Sequence, residues 1–153
     1  MKTSKVLAFI LLTIIINGCG VRRSEPGNFK QLSQKKWQQE FKKNVLCNCV
    51  LLGMNDKNIT QQFYKKDKSF YNEINIVLHD EILSVLSPVI NQIKSDSIMS
   101  ISTVSEGAAG KTVFNHCLDY YNSKKLDSIS KVKSKMWLKM NVDSLMQVKA
   151  PAF

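Results

Sequence analysis

The chain is expected to be all-α: a compact single-domain bundle of about five helices, preceded by an N-terminal signal peptide and a flexible tether. Three observations predict this. Apolar residues beyond residue 30 recur at steps of three and four, the period of a helix with one buried face. Ser, Asn, Gly and Pro fall where such stripes run out, as helix caps and breakers do. Strand-like alternation is confined to one short stretch near residues 98–103.

The N-terminus comes first. MKTSKVLAFILLTIIINGCG carries Lys2 and Lys5, then an apolar run from Val6 to Ile16 broken only by Thr13. A membrane span needs about 20 such residues, so this shorter run predicts a secretory signal. It ends in Ile16-Asn17-Gly18-Cys19, which resembles a bacterial lipobox. Residues 1–18 would then be the signal peptide and Cys19 the lipidated first residue of the mature chain, outside the cytoplasm. Gly20 is not the Asp that retains lipoproteins at the inner membrane, which favours the outer one. Residues 19–28 are polar, hold Pro26-Gly27 and read as a tether. The folded domain is placed at 29–140 and a basic, irregular tail at 141–153.

Within the domain, Trp37, Phe41, Val45, Cys49 and Leu52 follow at steps of four, four, four and three, predicting a helix over 30–54. Gly53 and the Asn-Asp-Lys-Asn of 55–58 end it. A second helix begins near Ile59 and breaks around Asp67. The next carries Phe70, Ile74, Val77, Leu78, Ile82, Val85 and Leu86, and Ser87-Pro88 is expected to end it and start a short helix to Lys94. Ser95 to Gly110 is rich in Ser, Gly and Ala and lacks helical period. A loop or short strand is expected there, and loops of that length tend to be functional. Helix resumes at Lys111 with Val113, Cys117 and Tyr120 or Tyr121 on one face. Ser123 caps a last helix whose stripe is read as Leu126, Ile129, Val132, Met136 and Met140.

Charge and cysteine content narrow the chemistry. Removing residues 1–18 leaves 135 residues with 20 Lys+Arg against 12 Asp+Glu, a net charge of +8. Outside the cytoplasm this suits anionic lipid or an acidic protein, not nucleic acid; scattered solvated lysines are the plainer explanation. Of four cysteines, Cys19 is assigned to lipid, and Cys47, Cys49 and Cys117 allow one disulfide and one leftover thiol. Cys47-Asn48-Cys49 with His116-Cys117 makes a poor zinc site, because C-x-C lacks the usual spacer and there is no second pair. No metal and no cofactor is expected.

No enzyme is expected either. His116 and Cys117 are neighbours in HCLDYYNSKKLD, and neighbours on a helix diverge by about 100°. His79 precedes Asp80-Glu81 and is expected at the surface. A Cys117–His79 pair would need a free thiol and an orienting group. No nucleophile elbow, zincin motif or phosphate-binding glycine loop occurs. No catalytic residue is assigned.

The segment VFNHCLDYYNSKKLDSISK, Val113 to Lys131, resembles the C-terminal signature of immunity proteins against the fourth class of type VI secretion amidases. The likeness lies in Cys117-Leu118-Asp119, the aromatics Tyr120 and Tyr121, Ser123, Lys124-Lys125 and Leu126-Asp127. Cys49-Val50-Leu51-Leu52-Gly53-Met54 fits the family's first-helix cysteine followed by small apolar residues. The resemblance spans roughly residues 41–132; the lipobox, the second cysteine of C-N-C and the basic C-terminal extension depart from it. It implies a periplasmic inhibitor with no chemistry of its own. Such a protein binds a secreted peptidoglycan amidase of papain-like fold and occludes its cleft with a loop between helices, in the family as a homodimer.

Two expectations follow. Cys49 lies on the stripe of Trp37, Phe41 and Val45, and Cys47 sits about 200° around the helix, so Cys49 is expected to pair with Cys117. The loop of 95–110 is expected to be the partner-binding element, with Met99, Ile101, Thr103, Val104, Ser105 and Glu106 as contacts. The alternatives are a structural envelope lipoprotein whose basic face binds lipid or wall, and an inhibitor of another wall hydrolase such as a lysozyme.

Overall fold

The computed structural model describes residues 32–69, 71–103 and 110–152. These form seven α-helices: α1 (Gln34–Met54), α2 (Lys57–Lys66), α3 (Glu73–Val77), α4 (His79–Thr103), α5 (Val113–Tyr121), α6 (Lys124–Trp137) and α7 (Val142–Lys149). A short 3-10 turn (Ala150–Ala152) follows. The chain is all-α, with no strand among the described residues, and the expected strand near 98–103 is helical.

The first helix is the axis of the bundle. Ser33 caps it by accepting from the Lys36 N–H, and Asn55 closes it in the left-handed conformation at φ 52°. Trp37, Phe41, Val45 and Cys49 are all buried, and α4, α5 and α6 pack around them. Contacts along α1 fix the directions of its neighbours. Gly53 faces Val113, Cys49 meets Cys117, Lys42 meets Asp127, and Gln34 and Gln38 meet Ser134. Helices α5 and α6 therefore run end to end, antiparallel to α1. Helix α4 runs with α1, from Glu81 beside Lys133 to Ser100 beside Gly110.

Several expectations are corrected. Ser87-Pro88 does not break the chain, because Pro88 lies inside α4. Proline removes the bond to the carbonyl four residues back, here that of Ser84. Ser84, Ser87 and Pro88 are all exposed, so the lost bond falls on the solvent side of the helix. Meanwhile Ile82, Leu86 and Ile93 keep one stripe in the core. The single helix expected from Phe70 onward is two pieces, α3 and α4, joined at Leu78; Phe70 itself lies outside the described residues. The expected irregular tail is also helical. Asn141 caps α7 by accepting from the Ser144 N–H, Val142 is buried, and α7 packs on α3.

Polar groups join the layers as well. The Asn48 Nδ2 donates to Asn75 Oδ1 at 2.8 Å, and the Asn72 Nδ2 to Asn44 Oδ1 at 3.0 Å, tying α3 to α1. The last long helix is rotated from expectation. Its buried face is Leu126, Ser130, Ser134 and Trp137, while Val132 and Met136 are 57% and 44% exposed. The two serines let α1 come close, and Trp137 fills the end against Trp37, ring centroids 5.6 Å apart.

Candidate functional site: the tip of the α4–α5 hairpin

The last two turns of α4 and the first of α5 form one end of the bundle. The region expected to be a loop from Ser95 is helical through Thr103, which is a correction. Serines tolerate this helix by turning their hydroxyls onto local carbonyls, as Ser100 does toward Ser97 O at 2.8 Å. The same Oγ accepts from the Gly110 N–H at 3.1 Å and so closes the hairpin. Below that clasp, His116 Nε2 and Asp96 Oδ2 are 3.0 Å apart. Lys111 Nζ donates to the Met54 carbonyl at 3.1 Å, tying α5's start to α1's end.

The base of the hairpin is stiff for reasons of packing. Val113, Ile93 and Cys117 are buried. Gly53 sits where α1, α4 and α5 meet, and a Cβ there would lie 2.5 Å from Val113 Cγ1. One turn below, the Sγ atoms of Cys49 and Cys117 are at disulfide distance, 1.94 Å, with a sequence separation of 68. Closing a loop of that length stabilises the fold by roughly 4 kcal/mol on chain entropy.

Apolar side chains at this end are left in solvent. Ile98 is 71% exposed, Met99 54% and Phe114 59%, and Met54 at α1's terminus 42%. A rigid frame that exposes large apolar groups has the makings of a binding surface. Of the residues expected to contact a partner, Met99, Ile101 and Thr103 are on the final turns of α4 rather than on a loop. Val104, Ser105 and Glu106 lie outside the described residues, as does Cys19. Phe114 and Met54 were not anticipated. Phe114 falls outside the Val113–Cys117–Tyr120 face, and that off-face position was the available signal.

Among the described residues, reactive groups do not converge here. Cys117 is joined to Cys49, and His116 faces Asp96. Cys47 is half-buried on α1, where burial first and the charge of Asp67 second push its thiol up to about 11. It therefore stays protonated, and a thiol without its proton removed is a poor nucleophile. A separate cleft of about 340 Å³ opens between the end of α1, α2 and the start of α4, lined by Leu51, Leu52, Tyr64, His79 and Leu83. His79 is half-buried there rather than on the surface as expected, and burial lowers its pKa. No group of three or more His, Cys, Asp or Glu side chains among the described residues is placed to hold a metal ion. No described helix is long and apolar enough to cross a membrane.

No protein-family model, curated protein or solved structure matches this chain.

Proposed function

We propose that the protein is a periplasmic immunity protein, lipid-anchored through Cys19, that binds a type VI secretion peptidoglycan amidase and occludes its papain-like active-site cleft. The observation that carries this reading is the α4–α5 tip. A disulfide-braced hairpin with a hydrogen-bonded clasp at Ser100 and Gly110 holds Ile98, Met99 and Phe114 exposed at one end of the bundle. A preorganised apolar projection enters a groove with little ordering cost. The likeness of residues 113–131 to amidase immunity proteins supplies the partner. The contact set is now the last turns of α4, the first turn of α5 and the segment between them.

The test uses the product of the reading frame beside this gene, which the proposal expects to be a wall-cutting amidase. Residues 102–108 are replaced by a Gly/Ser linker of equal length, and separately Met99 and Phe114 are changed to Asp. Helical circular dichroism and melting temperature should hold, Met99 and Phe114 being more than half exposed. Inhibition of the amidase should weaken by orders of magnitude. Tight inhibition by both folded variants overturns the reading, and so does a neighbouring frame that encodes no wall-cutting enzyme.

A further inference from the structure

We propose that the solvent face of α6 docks on an anionic lipid surface. At about 100° per residue, the burial of Leu126, Ser130, Ser134 and Trp137 turns Lys125, Val132, Lys135 and Met136 outward, and Lys139 follows just past the helix end. All five are exposed. The helix holds a single acidic residue, Asp127, and Lys42 on α1 engages it from the core side at 2.6 Å. Lys133 is likewise engaged by Glu81. Lys124, Lys125, Lys135 and Lys139 stand in no ion pair among the described residues.

Charge alone would suit any solvated helix. What distinguishes this face is the apolar pair set among the lysines. Val132 and Met136 are one turn apart, 57% and 44% exposed, and Leu138 just past the helix is 60% exposed. Lysines around a narrow apolar strip are the pattern of a helix lying in a headgroup layer, with apolar groups entering and ammonium groups held at phosphate level. From Lys125 to Met136 the face extends about 17 Å at 1.5 Å per residue.

Position and end charges agree. Gln34 and Gln38 each donate to Ser134 Oγ at 3.1 Å, so the start of α1 lies beside the C-terminal half of α6. The described chain therefore enters at the end of α6 that carries Lys135, although α1 itself lies on the helix's buried side. Leu32 follows Cys19 by 13 positions, at most about 45 Å along any chain path, so a lipid on Cys19 holds the domain close to the bilayer. Lys35 and Lys36 in α1's first turn, and Lys124 and Lys125 in α6's, put positive charge at helix N-termini, where it is unfavourable. An anionic surface offsets that repulsion. The proposal goes beyond cleft occlusion and rests only on the anchor clause of that reading.

The test is an amine-reactivity footprint of the full-length lipidated protein. It is reconstituted in vesicles of phosphatidylcholine alone and of phosphatidylcholine with phosphatidylglycerol. Lys125, Lys135 and Lys139 should react roughly fivefold more slowly on the anionic vesicles only, the factor expected for a lysine near such a surface. Lys57, Lys65 and Lys66 on α2 should not change. High salt should erase the protection, as should K135E/K139E, with the helical signal of that variant intact. Equal reactivity on both vesicle types overturns the proposal. So does protection shared by the α2 lysines, protection that appears only when an acidic protein is added, or failure of the chain to float with vesicles. Amidase inhibition is measured separately, so loss of occlusion leaves the footprint readable and loss of the footprint leaves inhibition readable.

Discussion

Helices α1 and α6 pack against each other, yet they relate sequence to burial differently. In α1 the apolar stripe is the buried stripe: Trp37, Phe41, Val45 and Cys49 all face inward. In α6 the stripe is split: Leu126 is buried and Ile129 packs on the core, but Val132 and Met136 face solvent while Ser130 and Ser134 are buried. The difference shows what sets a helix's rotation in a small bundle. A central helix contacted by four others takes the orientation that buries most apolar area, at about 25 cal/mol per Å². A peripheral helix with one main neighbour can instead choose close approach. Small residues at the seam bring it near enough for Trp137 to fill the space over Trp37.

The largest way to break this comparison is in α1. Phe41 has no exposed surface and stacks on Trp37 with centroids 5.5 Å apart. Phe41→Ala should cost about 3–5 kcal/mol, read from the shift in urea midpoint. A loss under 1 kcal/mol would mean that α1 is not the axis of the core.

The seam gives the next effect. Ser134→Leu inserts bulk where Gln34 and Gln38 meet the helix and should cost about 1–3 kcal/mol by overpacking. If Ser134→Leu stabilised the protein instead, the close approach of α1 and α6 would be wrong. Gly53→Ala belongs to the same range, since the new Cβ meets Val113 Cγ1.

The outer face should respond weakly. Val132→Ser removes an apolar side chain that the core does not use, so thermal stability should move by no more than about 0.5 kcal/mol. A loss of 1.5 kcal/mol or more would restore the stripe read from the sequence.

The smallest effect joins the two helices. Lys42 donates to Asp127 and holds its carboxyl below the ordinary aspartate range. A carboxyl depressed in the folded state contributes stability above its unfolded pKa of about 3.9. That contribution is lost as pH falls through the lower folded value. Wild type should therefore melt slightly above Asp127→Asn at neutral pH, and the two should converge under acid. A gap that persists at the most acidic readable pH would assign the effect to something other than the Lys42 pair.

The sequence by itself determined the helical class, the rotation of α1 and of α5, and which cysteine shares a face with the core. Those features depend on dense local patterns, Trp37-Phe41-Val45-Cys49 and Val113-Cys117-Tyr120, whose period leaves one orientation that buries them. Only the tertiary structure decided the rest. Pro88 stays within α4 because burial on both sides of it outweighs one lost hydrogen bond. Residues 95–103 remain helical because Asp96, Ser100 and Gly110 fasten them to α5. The α7 helix forms because it packs on α3 and turns Val142, Leu145 and Met146 onto the core, from a segment with little pattern of its own. The exposed side of α6 was settled by two serines, which look neutral in a hydrophobicity count and matter only when another helix lies against them.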